Sequence, residues 1–116
     1  MKNVKLLLLS ALLTVLFISS CTKDDGEIKG QVTFIEKDTG IEYYADKATV
    51  YLMTSETEYA QKTVTDANGN YSFYPVIDGL YHLEAEITVN LIDYDGKSKD
   101  FLIEKDEVIT SNLVLE

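Results

Sequence analysis

Gly79-Leu-Tyr-His-Leu-Glu-Ala-Glu-Ile-Thr-Val-Asn90 is the stretch of this sequence that decides its fold. From Tyr81 onward, apolar residues alternate with polar or charged residues at every second position. A period of two is typical of a β-strand that buries one face and solvates the other. The predicted buried residues are Tyr81, Leu83, Ala85, Ile87 and Val89, and the predicted solvated residues are His82, Glu84, Glu86, Thr88 and Asn90.

Segments with a similar pattern lie on both sides of this strand and are separated by short runs of turn-forming residues. Further strands are predicted at Ile28–Phe34, Ala48–Met53, Lys62–Thr65, Tyr71–Tyr74, Phe101–Ile103 and a last segment with Ile109, Leu113 and Leu115. Glycine after a polar residue suits tight turns. The predicted turns of this kind are Lys37–Gly40, Asn68-Gly69 and Asp95-Gly96. The sequence therefore predicts an all-β sandwich of seven strands.

Four short motifs add a family resemblance to this pattern. They are Ile28-x-Gly-x-Val, Ala48-x-Val-x-Leu, Thr65-Asp-x-Asn-Gly-x-Tyr-x-Phe and Val76-x-x-Gly-x-Tyr-x-Leu. Together they resemble the carboxypeptidase regulatory-like domain, a member of the transthyretin-like (prealbumin-like) sandwiches that are also similar to the B-type repeats of collagen-binding adhesins. The resemblance implies a Greek-key, immunoglobulin/transthyretin-like sandwich over residues 28–116. A tyrosine corner at Tyr81, whose hydroxyl satisfies a nearby backbone group, is expected in such a fold.

The same resemblance argues against catalysis. The hydrolase branch of the transthyretin-like family needs several histidines and an arginine, whereas this chain has one histidine, His82, and no arginine. His82 is predicted to be a solvated strand residue. We therefore expect the fold of this family without its enzymatic activity.

The N-terminal residues have the features of an export signal. Lys2 and Lys5 precede an apolar run from Leu6 to Ile18, and two small residues, Ser19 and Ser20, follow it. As a helix the run would span roughly 20 Å, which is shorter than the roughly 30 Å hydrocarbon core of a bilayer. Residues 1–20 are therefore predicted to be a cleaved signal peptide.

The single cysteine follows this run directly. Ile18-Ser-Ser-Cys21 resembles the bacterial lipobox, which implies cleavage before Cys21 and acylation of its thiol and its new amino group. Lys23-Asp24-Asp25 resembles the lipoprotein export signal of Bacteroidota, which implies a position on the outer face of the outer membrane. Residues 21–27 are accordingly interpreted as a lipidated cysteine and an acidic tether.

The charge of the chain excludes one class of partner. Lysines and arginines total 10 against 20 acidic residues, so the formal net charge is −10. A phosphate backbone repels such a surface, and nucleic-acid binding is not expected. The acids near Asp66 and Asp95 do not follow the twelve-residue calcium loop, so neither a metal site nor a cofactor is predicted.

Eight tyrosines are the remaining feature of the composition. Tyr71 and Tyr81 fit the core pattern, and the others are expected in loops or on outward positions; these are Tyr43, Tyr44, Tyr51, Tyr59, Tyr74 and Tyr94. Tyr43 and Tyr44 are predicted as contact residues at the end of the sandwich away from the lipid. The sequence favours a non-catalytic surface module that acts by protein contact in envelope assembly or adhesion. The alternative is a glycan-binding accessory lipoprotein of a polysaccharide-uptake system.

Overall fold

The structure is a computed structural model that describes residues 25–116. All its regular elements are strands, and this range holds no helix that could cross a membrane. The strands are β1 (Gly26–Ile35), β2 (Glu42–Tyr44), β3 (Thr49–Met53), β4 (Tyr59–Val64), β5 (Asn70–Val76), β6 (Gly79–Val89), β7 (Ile92–Lys97), β8 (Phe101–Ile103), β9 (Val108–Thr110) and β10 (Leu113–Leu115).

The strands form two sheets. In the first sheet β1 is central: β5 and β9 flank its first half, and β2 and β10 flank its second half. β9 and β10 run parallel to β1, whereas β2 and β5 run antiparallel to it. The second sheet has the order β4-β3-β6-β7, and β8 pairs with the start of β6.

The core lies between the two sheets. Ile28 of β1 is opposite Phe73 of β5 in the first sheet, and Leu52 of β3 is opposite Leu83 of β6 in the second. All four side chains are buried because they lie on the inward face of their strands. The all-β sandwich predicted from the sequence is therefore confirmed.

Ten strand segments are present where the sequence predicted seven. The additional segments are β2, β7 and the division of the last strand into β9 and β10. β1 also starts earlier than predicted, at Gly26 rather than Ile28. The tyrosine corner is confirmed, because the Tyr81 hydroxyl donates a hydrogen bond of 2.7 Å to the carbonyl oxygen of Ile77.

The predicted turn at Asp95-Gly96 is wrong. Both residues lie within β7, and the hairpin turns earlier, at Asn90 and Leu91, which have φ angles of 51° and 64°. Gly96 serves packing instead of a turn, because a Cβ there would lie 2.9 Å from the carbonyl oxygen of Val114 in β10. The glycine thus allows the last strand to approach β7 closely.

Because the turn comes earlier in the sequence, Tyr94 is buried and not exposed as predicted. The sequence placed this tyrosine in a loop or on an outward face, but it is only 2% exposed. Its ring lies 5.0 Å from the ring of Phe34, measured between centroids. Tyr94 is therefore part of the core.

A hydrogen bond from the Tyr71 hydroxyl crosses β1 at Gly30, which has no side chain. The Tyr71 hydroxyl donates to the carbonyl oxygen of Ser111, which lies in the link between β9 and β10. Gly30 of β1 lies between them, and a Cβ there would come within 1.8 Å of that oxygen. The backbone N–H of Ser111 donates a hydrogen bond of 2.8 Å to the backbone carbonyl oxygen of Lys29 in β1. Gly30 therefore makes room for a hydrogen bond that joins β5 to the link between β9 and β10 across β1.

We expect the burial of the Tyr71 hydroxyl to make the free energy of unfolding depend on pH at the alkaline end. Burial raises the pKa of Tyr71 from its ordinary value of 10.0 to about 12. Above pH 10 the unfolded chain therefore loses this proton first, so the stabilisation is complete below that pH and declines as pH rises towards 12. The decline is limited to about 1.4 kcal/mol per pH unit.

Urea unfolding of the wild type and of Tyr71→Phe across this pH range measures the effect. The variant should be less stable by about 1 kcal/mol or more below pH 10, because it leaves the Ser111 carbonyl without its donor. The difference in the free energy of unfolding between the two proteins should narrow as pH rises above 10, because only the wild type loses the contribution of Tyr71. The titration of the lysines affects both proteins alike and cancels in this difference. Parallel pH profiles would contradict the assignment.

Candidate functional site

The predicted site residues fall on both sides of the boundary of the described range. Cys21, Lys23 and Asp24 lie outside residues 25–116. Asp25 is exposed and directly precedes β1. Tyr43 and Tyr44 lie on β2, so they belong to a strand and not to a loop.

The strand β2 forms an exposed edge of the first sheet. Tyr43 lies opposite Phe34 and Tyr44 lies opposite Thr33, which places the two tyrosines on opposite faces of the strand. The Tyr43 ring packs 5.7 Å from the Phe34 ring, yet 44% of Tyr43 and 56% of Tyr44 are exposed. Within residues 25–116, β2 pairs with β1 alone. Its outer edge therefore offers unpaired backbone groups beside two aromatic side chains.

A shallow cleft lies along this edge. Glu42 and Thr33 bound it together with the two tyrosines, and its volume is about 420 Å³. The Thr33 hydroxyl donates a 2.6 Å hydrogen bond to the Glu42 carboxylate, which holds that side chain across the pair of strands. The cleft thus combines aromatic walls with one carboxylate.

Leu91 adds an exposed apolar group at the same end of the sandwich. It is 96% exposed at the tip of the β6–β7 hairpin, with a φ of 64°. Bulky residues rarely adopt this left-handed conformation. The turn after β1 reaches the same hairpin, because the Lys37 ammonium donates to the carbonyl oxygen of Asp93 at 3.3 Å. We call the set of Ile41, Tyr43, Tyr44 and Leu91 the distal surface.

The outward face of the second sheet holds a different group of side chains. Tyr51 and Tyr59 lie edge to face, with 5.3 Å between ring centroids. The Tyr51 hydroxyl donates to the Glu86 carboxylate at 3.2 Å, and Glu84 pairs with Tyr51 across β3 and β6. Desolvation raises the pKa of Tyr51, and the hydrogen bond and charge of Glu86 raise it further. We call Tyr51, Tyr59, Glu84 and Glu86 the tyrosine–carboxylate face.

The predicted solvation of His82 is wrong. His82 does point to the outward face of β6, but it is only 6% exposed. The loop from Thr54 to Glu58 folds over this end of the sheet and, with Asp100, lines a cleft of about 310 Å³ around the imidazole. The Nε2 atom lies 2.8 Å from an oxygen of Glu84. A period-two pattern assigns a face to a residue, but it cannot show that a loop covers that face.

The two acidic clusters weighed as calcium loops have other roles. One Asp66 oxygen accepts hydrogen bonds of 2.9 Å from the backbone N–H groups of Asn68 and Asn70, so it closes the predicted turn. Asp95 lies on β7 opposite Glu86, whereas Asp100 lies beside His82. The interpretation of Asp66 as a turn residue is therefore confirmed.

Comparisons with known proteins find one matching family and structural neighbours that share the β-sandwich fold. The family model of the BOS complex subunit NOMO1-like second beta sandwich domain matches residues 27–114. A candidate carbohydrate binding protein from Pseudomonas aeruginosa is similar in structure, with a TM-score of 0.60 and 14% identity over 79% of this chain and 89% of that one. The 5-hydroxyisourate hydrolase of Klebsiella pneumoniae has a TM-score of 0.42 and 23% identity over 75% of this chain and 86% of that one. No curated protein matches the chain at a significant level.

Proposed function

This chain belongs to the family of the BOS complex subunit NOMO1-like second beta sandwich domain, and we propose that it is a non-catalytic binding module. In this proposal lipid on Cys21 holds it at the outer membrane, facing the cell exterior. It acts there by protein contact in envelope assembly or adhesion. The observation that most supports this is the distal surface, where four large apolar or aromatic side chains are exposed at one end.

Two unfavourable features of the distal surface, an exposed leucine and its left-handed backbone, favour a role in binding a partner. Leu91 exposes nearly its whole side chain to water and also holds a left-handed backbone, so neither feature helps the domain to fold. Tyr43 is braced by Phe34, which limits the side-chain entropy that a contact would have to overcome. The open edge of β2 could also accept an extended segment of a partner as an added strand.

The position of the tether supports the same orientation. Because β1 starts at Gly26, residues 22–25 would be the whole linker to Cys21, and they reach about 15 Å when extended. β1 then runs for 10 residues, or roughly 30 Å, before it meets the turn that leads to β2. A domain anchored at Cys21 would therefore present Tyr43 and Tyr44 at its membrane-distal end.

The ionisable side chains support a non-catalytic role. His82 is enclosed by carboxylates instead of facing a nucleophile. Burial keeps the Tyr71 hydroxyl protonated well above neutral pH, and lipidation would consume the thiol of Cys21. The proposal therefore assigns binding and not turnover to this domain.

Glycan binding is the second candidate, and the tyrosine–carboxylate face favours it. Two tyrosine rings beside acceptor oxygens offer both apolar contact and hydrogen bonds to a sugar. The structural neighbour from Pseudomonas aeruginosa is described as a candidate carbohydrate binding protein, although at 14% identity its likeness concerns the fold.

Mass spectrometry of the protein from its native host tests the anchor. We expect a mature N-terminus at Cys21 with acyl chains on the sulfur and the amino group, since two or more chains are needed for stable anchoring. An unmodified Cys21, or a mature terminus elsewhere, would contradict the anchor.

External protease should also remove the domain from intact cells, but not from cells in which Lys23, Asp24 and Asp25 are changed to Ala. Equal digestion of both would contradict export.

A binding comparison with two reciprocal double variants separates the two functions. The chain is screened against envelope proteins and glycans, as wild type, as Tyr43→Ala/Tyr44→Ala and as Tyr51→Ala/Tyr59→Ala. We expect a protein ligand whose affinity falls at least several-fold in the first variant only, as loss of a hot spot costs more than about 1 kcal/mol. A glycan ligand that is lost only in the second variant would instead favour the alternative. Unchanged affinity in both double variants would show that neither the distal surface nor the tyrosine–carboxylate face binds the ligand.

A further inference from the structure

The loop between β3 and β4 brings three potential metal ligands together. One ring nitrogen of His82 and one carboxylate oxygen each from Glu84 and Glu56 all lie within 4.8 Å of one another. Glu84 and His82 are on β6, whereas Glu56 comes from the loop that folds over them. Neither the family match nor the distal surface accounts for this arrangement.

His82 is largely buried and has a carboxylate near each of its two ring nitrogens. Its side chain is only 8% exposed, and its Nε2 lies 2.8 Å from Glu84. On the other side of the ring, Nδ1 lies 3.7 Å from a carboxylate oxygen of Asp100. Metal-binding histidines usually direct their second ring nitrogen to a carboxylate, which fixes the tautomer and the ring orientation. At 3.7 Å the Asp100 oxygen lies beyond hydrogen-bond distance of Nδ1, so its largely exposed side chain would move closer to do this for His82.

The charges around the imidazole favour a dication. Glu56, Glu84 and Asp100 converge on a single side chain that is neutral or singly positive. Lys97 approaches Glu56 at 4.0 Å, but both side chains are largely exposed, at 65% and 79%. Exposed pairs of this kind contribute little. A metal ion could therefore displace Lys97 from Glu56 at small cost.

We propose that His82, Glu84 and Glu56 bind a divalent transition metal, with zinc as the best match. One imidazole and two carboxylates suit zinc, whereas calcium and magnesium prefer shells of oxygen alone. Ligand atoms about 2.1 Å from a tetrahedral zinc are about 3.4 Å apart. The 2.8 Å separation of His82 Nε2 and the Glu84 oxygen is a hydrogen-bond distance, so zinc would replace this hydrogen bond and move the two atoms about 0.6 Å farther apart. The exposed Glu56 side chain is free to adjust.

A metal at this position would fasten the β3–β4 loop to β6 through Glu56. Three protein ligands would leave a fourth position open to solvent, where a water molecule or a donor group of a partner could bind. The site would then be a second attachment point, on the outward face of the second sheet and apart from the distal surface.

Titration with zinc ions tests the site on the full chain, purified in detergent without a histidine tag and stripped of metal by a chelator. The sequence contains one histidine, so the imidazole proton resonances in NMR spectra belong to His82 alone. We expect zinc at micromolar concentration to shift these resonances, and calorimetry to give one ion per chain. Zinc should also raise the melting temperature, because it binds only the folded state.

Substitutions identify the ligands. Loss of an outer-shell partner typically weakens metal binding by about 10–100-fold, so Glu84→Gln and Glu56→Gln should weaken it at least tenfold. Glu86→Gln is the matched control, because it removes the same charge from the same face of β6, and it should change affinity by less than about twofold. Glu56 is exposed, so its variant tests the site even if a change at Glu84 affects folding.

The proposal is overturned if the His82 resonances do not respond to zinc. It is also overturned if Glu86→Gln weakens binding as much as Glu56→Gln does, because zinc would then be attracted by the general negative charge of the face.

Discussion

The hydrogen bond from Tyr71 to Ser111, made across Gly30, is the constraint on which the arrangement of the strands depends. It ties β5 to the link between β9 and β10, and these two strands pair in parallel with β1 at the same register offset. β10 then reaches β7, where Asp95 and Glu116 exchange two backbone hydrogen bonds of 3.2 and 3.0 Å. Backbone hydrogen bonds between β7 and the residue that follows β10 thereby connect the two sheets on this side of the sandwich.

This closure determines which surfaces remain available for binding. β7 and β10 meet on one side of the sandwich, whereas on the opposite side β2 and β4 each pair with one neighbour among the described strands. β2 combines free backbone groups at this edge with two exposed aromatic rings, Tyr43 and Tyr44. The outward face of the second sheet is separate from it, which is why the protein-contact and glycan hypotheses can be distinguished by substitutions at different tyrosines.

The sequence predicts the parts of this fold that depend on local patterns. The alternation after Gly79 and the turn at Asn68-Gly69 are confirmed, because side-chain period and turn chemistry are encoded within a few residues. The errors concern Asp95-Gly96, Tyr94 and His82, whose surroundings come from distant segments. Gly96 is required by the approach of β10, and His82 is covered by the β3–β4 loop. Likewise, the exposure of Leu91 follows from a turn that its own sequence does not favour.

The free energy of unfolding of Gly30→Ala, compared with that of Gly79→Ala, tests the central constraint most directly. A Cβ at position 30 would meet the Ser111 carbonyl at 1.8 Å, whereas a Cβ at position 79 would meet its nearest neighbour at 3.5 Å. The account predicts a loss of about 2–3 kcal/mol or more for Gly30→Ala and a change within about 0.5 kcal/mol for Gly79→Ala. Equal, small effects of the two substitutions would contradict it.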